Sequence, residues 1–178
     1  VRLSGDLSRV EITSSRLALT SSTLGDGDEA FAESNATIAR FMSWNAPASR
    51  DELDGIYRVT LAQMVAGENL SLTVRLLATR EFLGSVGLHP ADDDLLETGI
   101  WIKQSAQRQG YGREAVAAVV AWASHRFQPS GLLWPVVDDN LASRRLAESL
   151  GGQIIGSRQR QKAGDIERTL LLYRIPAG

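Results

Sequence analysis

Apolar positions recur along this chain with two different periods, and the two periods divide it into helices and strands. Spacings of three and four residues place Leu53, Ile56, Tyr57 and Met64 on one side of residues 50–65. The same spacing places Val116, Val119, Val120, Ala123 and Phe127 on one side of the segment that ends at 127. Both predict helices with one apolar face. A third periodic segment, 140–150, carries Ala142, Leu146 and Leu150 and closes on Gly151 and Gly152. Shorter helical turns are expected from Asp28, as N-cap, through Phe31 and over 36–41. Ser49-Arg50-Asp51-Glu52 has the form of a capping box at the head of the 50–65 helix.

Looser alternation predicts a first strand over 10–20, then strands over 70–78, 81–89, 95–103 and 132–137. Thr79-Arg80 joins two of these as a tight antiparallel hairpin. A final hairpin is expected over 153–156 and 169–175, around Lys162-Ala163-Gly164-Asp165. The order is strand, helices, three strands, helix, strand, helix, two strands. An antiparallel meander that feeds one crossover makes a mixed α/β, α+β-like fold. We expect one domain over 1–178, with a mostly antiparallel central sheet of six to seven strands and about four flanking helices.

Composition removes several kinds of function. The chain has 178 residues, 43% hydrophobic and 22% charged, which is ordinary for a globular domain that buries a core. It has no cysteine, so disulfides, thiolate metal sites and a cysteine nucleophile are excluded. Only His89 and His125 are present, too few for a His-rich metal site, and the Asp92-Asp93-Asp94 run lacks the spacers of a calcium loop. A net charge of −2 argues against direct nucleic-acid binding, and no stretch has the apolar length of a membrane span. With no basic-then-apolar leader, a cytoplasmic location is expected.

The segment between the 95–103 strand and the main helix reads Gln107-Arg108-Gln109-Gly110-Tyr111-Gly112-Arg113-Glu114. Two glycines at a strand-to-helix turn let a backbone approach a ligand closely, and the free N–H groups of the helix's first turn favour an anion such as pyrophosphate. No Lys-Ser or Lys-Thr pair follows, so this is not a Walker loop. Ala115 stands where a dinucleotide loop places its third glycine, and the turn comes too late in the chain for that fold.

Gln107, Gly110 and Gly112 fill a Gln/Arg-x-x-Gly-x-Gly/Ala pattern that resembles the acyl-CoA pyrophosphate loop of the GNAT N-acetyltransferases. Asn140, Ser143, Leu150 and Gly151 resemble that family's Asn-x-x-Ser…Leu-Gly helix, and Gly84-Ser85-Val86-Gly87-Leu88 its Gly-x-Val-Gly-Leu strand. Ser14-Ser15-Arg16-Leu17-Ala18-Leu19 is similar to the start of the Rim-type branch, the ribosomal-protein N-terminal acetyltransferases and their relatives. The resemblance spans roughly 12–175. It departs at Ala147, where many members carry a thiol-protonating Tyr, and at Gly152, where an aromatic is usual.

The resemblance implies acetyl-CoA as co-substrate and no metal. Gln107, Arg108, Gln109, Gly110, Tyr111, Gly112 and Arg113 are expected at the pyrophosphate, and Asn140 and Ser143 at the pantetheine arm and thiol. Main-chain N–H groups of Ile100, Trp101 and Ile102 are expected at the thioester oxygen. Without cysteine, direct attack by the amine in a ternary complex is the economical mechanism. Period two puts Glu97, Gly99 and Trp101 on one face of their strand, a reasonable floor for an amine pocket. Glu97 is therefore the first choice for general base, with Ser143 for the acid that Ala147 cannot be. Trp44, beside Pro47, is a candidate lid or substrate-stacking residue, while Trp122 and Trp134 read as core. Arg158, Arg160 and Lys162 read as a solvated edge that could also meet an acidic acceptor.

The expected acceptor is a primary amine, on a peptide N-terminus or on a small molecule such as an antibiotic, polyamine or aminoacyl nucleotide. A non-catalytic acyl-CoA-binding module is the rival from another class. A monomer or a homodimer fits either.

Overall fold

In the computed structural model, which describes residues 1–91, 94–162 and 166–177, the run expected as one strand over 10–20 is a hairpin. β1 (Glu11–Thr13) and β2 (Leu17–Ser21) pair antiparallel. Ser14 turns the chain between them: its N–H donates to the Leu17 carbonyl at 2.9 Å and its Oγ accepts from the Leu17 N–H at 3.3 Å. Three helices follow, α1 (Gly27–Glu33), α2 (Ala36–Ala39) and α3 (Arg50–Val65). Asp26, not Asp28, is the N-cap of α1; Asp28 instead pairs with Arg50 at 2.9 Å. Ser49 caps α3 as expected, accepting from the Glu52 N–H at 3.1 Å, while the Glu52 carboxylate reaches back to the Ala48 N–H at 2.7 Å. Leu53 and Met64 are buried on α3, but Ile56 is 48% exposed because its side of the helix borders a cavity.

β3 (Leu70–Leu76), β4 (Phe82–Pro90) and β5 (Leu95–Ile102) continue the antiparallel meander. The helix α4 (Tyr111–Phe127) then crosses over to β6 (Gly131–Val137), which lies parallel to β5. After α5 (Leu141–Ser149), β7 (Gln153–Lys162) and β8 (Ile166–Pro176) form a hairpin longer than the apolar pattern predicts, with β8 placed between β6 and β7. Among the described residues the sheet therefore has eight strands, one more than expected because the first run is two, and there are five helices. The turn at 163–165 and the acidic pair Asp92-Asp93 lie outside the described residues.

Each face of the sheet carries its own helices. Val116, Val119 and Ala123 of α4 are fully buried against Leu17, Leu19, Leu72, Leu96 and Leu132. At about 1.5–3 kcal/mol for each fully buried aliphatic side chain, this face supplies most of the hydrophobic stabilisation. On the opposite face, Ala30 of α1, Leu53 of α3 and Phe82 of β4 make a smaller cluster with Trp101 at its margin.

Candidate active site

β5 and β6 pair only over Leu95–Gly131, Leu96–Leu132 and Glu97–Leu133; beyond Glu97 the two parallel strands part. Main-chain alternation explains what the gap exposes. The Lys103 N–H donates to the Leu83 carbonyl of β4 at 2.7 Å, so the polar groups of Gly99 and Trp101 also turn towards β4. Those of Thr98, Ile100 and Ile102 turn towards the gap, and the Ile102 carbonyl there accepts from Gln107 Nε2 at 2.8 Å. On the other side, the Asp138 N–H donates to Thr169 of β8 at 3.1 Å, which by the same alternation turns position 135 towards β5. That position is Pro135, which has no N–H to give. The parallel ladder ends where its next donor is missing.

A cavity of about 430 Å³ opens on the gap, roofed by the 41–47 segment and α3. It is lined by Glu97, Thr98, Gly99, Ile100 and Trp101 of β5, by Trp134–Val137 of β6, and by Asn140 and Ser143 at the start of α5. The expected facing of β5 holds, since the β4–β5 register runs without a bulge from Gly84–Ile102 to Pro90–Leu96. Trp44 also lines the cavity, with its ring edge-on to Trp101 at 6.3 Å. Of the three N–H groups expected at a thioester oxygen, Ile100 and Ile102 face the gap and Trp101 does not. Trp101 contributes its ring instead.

The Glu97 carboxylate is less enclosed than a strand-floor position implies. Its side chain is 32% exposed and accepts from Arg158 Nη2 at 3.1 Å. His89, opposite Glu97 in the register, also lines the cavity and lies across Gly87, whose missing Cβ would stand 2.8 Å from its Nε2. Desolvation lowers the imidazole pKa, against the opposing pull of the Glu97 charge, so His89 favours the neutral form. Tyr57 of α3 lines the same space, and burial together with the Asp26 charge pushes its phenol up to about 12.

Asn140 and Ser143 both have structural work. Asn140 Oδ1 caps α5 by accepting from the Ser143 N–H at 3.2 Å. Ser143 Oγ accepts from the Trp134 indole N–H at 3.0 Å, which leaves its own proton available to the cavity. Trp134 is core by burial, at 3% exposed, but its Nε1 is a polar handle on the serine. Ala147 is fully buried in the main core, so a phenol there would need the core rebuilt.

The glycine turn lies outside the cavity, at the head of α4. No side chain caps that helix, its N-cap Gly110 has φ +83°, and Arg108 has φ +61°. The two glycines differ in purpose. Gly110 supplies a left-handed backbone, whereas a Cβ on Gly112 would stand 3.3 Å from Leu146 Cδ1, so its smallness serves the approach of α4 to α5. Gln109 Nε2 bonds the Ser105 carbonyl at 3.1 Å, and Arg113 Nη2 the Ser149 carbonyl at 3.3 Å. The turn is held by a group that spacing alone leaves unconnected. Glu114 accepts from Ser14 Oγ at 2.8 Å and from the Arg16 N–H and Nε at 2.7 Å each. Arg16 in turn donates to the Gln109 carbonyl at 3.2 Å and covers the Tyr111 ring at 4.5 Å.

The uncapped helix head, its left-handed glycine and the adjoining gap fit a pyrophosphate joined to an extended arm. Among the described residues no three His, Asp or Glu side chains are grouped to hold a metal ion, and no helix is long and apolar enough to cross a membrane.

The family model of the acetyltransferase (GNAT) domain matches residues 16–153. No curated protein is matched by sequence. Among solved structures, the fold is similar to a GNAT-family acetyltransferase from Bacillus anthracis, at 15% identity and TM-score 0.81, over 94% of this chain and 99% of that one. It is also similar to an acetyltransferase from Salmonella typhimurium that modifies the N-terminal serine of a 50S ribosomal subunit protein, at 15% identity and TM-score 0.83, over 95% and 100%. A RimL ribosomal-protein acetyltransferase in complex with coenzyme A matches at 16% identity and TM-score 0.81, over 95% and 100%. With 138 of its 178 residues inside the family model, the chain belongs to the GNAT acetyltransferases.

Proposed function

We propose that this chain moves an acetyl group from acetyl-CoA directly to a primary amine, on a peptide N-terminus or a small molecule. One observation carries the proposal: the parting of β5 and β6 brings the gap-facing N–H group of Ile100, the Glu97 carboxylate and the Ser143 hydroxyl to the walls of one cavity. Bound acetyl-CoA supplies a thioester carbon and a thiol leaving group. Gly110, Tyr111, Gly112 and Arg113 hold the pyrophosphate at the head of α4, with Gln107, Arg108 and Gln109 shaping the turn. The Ile100 N–H group holds the carbonyl oxygen, as a fixed dipole that needs no reorganisation. Glu97 takes the proton that the amine loses as its nitrogen bonds the acetyl carbon, directly or through one water, once Arg158 shares or releases it. Ser143 gives its proton to the departing sulfur while its oxygen, steadied by the Trp134 indole N–H, takes one back from solvent; Glu97 later returns its proton to solvent. Trp44 and Trp101 flank the amine's path.

The test is coenzyme release across N-terminal peptides, aminoacyl nucleotides, polyamines and aminoglycosides, with products confirmed by mass. Glu97→Gln and Ser143→Ala should each lower kcat at least tenfold and leave acetyl-CoA binding intact. Full turnover in both variants would remove these two residues from the mechanism, and failure of the parent to bind acetyl-CoA would remove the mechanism itself.

A further inference from the structure

Arginines from three elements converge on the wall of the cavity nearest β7. Arg158 and Arg160, two residues apart and so on one side of β7, both line it. Arg160 also borders a small adjoining recess with Arg40, which follows α2, and Arg168 of β8. Met42, Val137 and Leu170 line both the recess and the main cavity, so the two adjoin.

The charges on this wall do not balance. Of the described side chains, two carboxylates answer the four guanidiniums. Glu97 pairs with Arg158 at 3.1 Å, and Asp139 lies 3.4 Å from Arg168 and 3.9 Å from Arg40. Arg160 makes no ion pair among the described residues and donates from Nη2 to the Met42 carbonyl at 2.7 Å, which occupies one of its five N–H donors. Burial and the Arg158 charge lower the Arg160 pKa, with Glu97 opposing. A guanidinium stays protonated under such a shift, so Arg160 keeps its charge while partly enclosed beside Arg158. A partly enclosed surplus of cations beside a cavity concentrates anions there.

We infer that the acceptor amine carries an anionic group, a carboxylate or a phosphate, and that Arg160, flanked by Arg40 and Arg168, seats it while the amine faces Glu97. This rests on the acetyl-transfer reading of the cavity. A guanidinium fork suits either anion, whereas a polyamine or aminoglycoside would add cations to a wall already in surplus. The arginines that alternation presents as a solvated edge thereby act in specificity.

Matched acceptors test it: alanyl-glutamate against alanyl-glutamine, both amidated at the C-terminus, and phosphoethanolamine against ethanolamine. Each pair is compared by kcat/KM and by calorimetric binding to the coenzyme-loaded protein. In at least one pair the anionic member should be preferred by about tenfold, mainly through KM; which pair responds separates carboxylate from phosphate. Arg160→Gln should shrink that ratio towards one, and Arg160→Glu should invert it in favour of a lysine-bearing peptide. Because the ratio is internal to each variant, partial unfolding does not imitate the result. Turnover with ratios near one in both pairs overturns the anion seat alone. Anion-selective binding lost in Arg160→Gln, but without turnover of any acceptor, keeps the seat and overturns acetyl transfer. Neither selectivity nor turnover overturns both.

Discussion

Replacing Glu114 by Ala should loosen the glycine turn more than any change within the turn itself, because Glu114 holds both Ser14 and Arg16 of the β1–β2 turn to the head of α4. It accepts three hydrogen bonds, from Ser14 Oγ, the Arg16 N–H and Arg16 Nε, and its side chain is 17% exposed. Bonds to a charged acceptor contribute about 1.5–3 kcal/mol each when well enclosed. The Arg16 side chain is 46% exposed, so its ion pair is discounted to about 1 kcal/mol or less. Water reaches the donors once the carboxylate is gone, which trims the other two. The expected loss is about 2–3 kcal/mol.

Urea denaturation reads that loss as a lower midpoint at unchanged slope. A second readout separates the tether from general stability. Arg16 also holds the Gln109 carbonyl and covers Tyr111, so freeing it should weaken acetyl-CoA binding by about tenfold while the protein is still folded. The pH dependence has a definite sign. Burial alone would raise the Glu114 pKa, but the bonds from Ser14 and Arg16 outweigh it and hold the carboxyl below its ordinary 4.5. The folded state thus favours the anion, so this contribution is present above the unfolded value and lost as the pH falls below about 4.5 through the folded one. The gap between parent and Glu114→Gln should close in that acid range. A variant within about 0.5 kcal/mol of the parent at neutral pH, with unaltered acetyl-CoA affinity, would refute the tether.

Gly110→Ala places a Cβ at φ +83° and should cost about 1 kcal/mol and weaken acetyl-CoA binding, measured by urea melts and calorimetry. Trp134→Phe removes the donor to Ser143 Oγ and should lower kcat about tenfold at unchanged KM for acetyl-CoA; an equal loss from both parameters would place its effect in packing. Asn140→Ala removes the α5 cap and should cost about 1 kcal/mol. On the proposed mechanism it should also lower kcat, because the cap positions Ser143.

What the sequence disclosed follows the range of the interactions. The periods that define α3, α4 and β3 to β6 are local, and those elements lie within a few residues of their expected bounds. The facing of Glu97 and Trp101 is likewise a matter of counting along a regular strand. The split between β1 and β2 was illegible because Ser14, Ser15 and Arg16 continue a loose alternation, and the hydrogen bonds exchanged by Ser14 and Leu17 show the turn. β7 was underestimated because its polar half pairs with β8 through backbone that carries no apolar signature. Trp134 reads as core from its neighbours, and it is core; that its N–H meets Ser143 is a property of the folded pair. Arg158 and Arg160 look solvated until β7 is placed beside the cavity.

One signal was present in the sequence and local enough to have been used. A proline inside an apolar strand is confined to an edge or a break in pairing, and Pro135 stands four residues into a strand whose other positions are Gly, Leu, Leu, Trp, Val and Val. Its carbonyl can accept but its nitrogen cannot donate, so the strand can keep full pairing on one side only. β8 takes that side, through the Asp138 to Thr169 bond and the register from Gly131–Pro176 to Val137–Leu170. β5 is left with three pairs and then none, and its Ile100 and Ile102 amides remain uncommitted. Uncommitted amides in a sheet interior are costly unless something polar meets them. Beside Glu97 and Ser143, amides turned into the gap offer donors to an oxygen that enters it. The missing N–H at one position and the free ones across from it are two halves of the same arrangement.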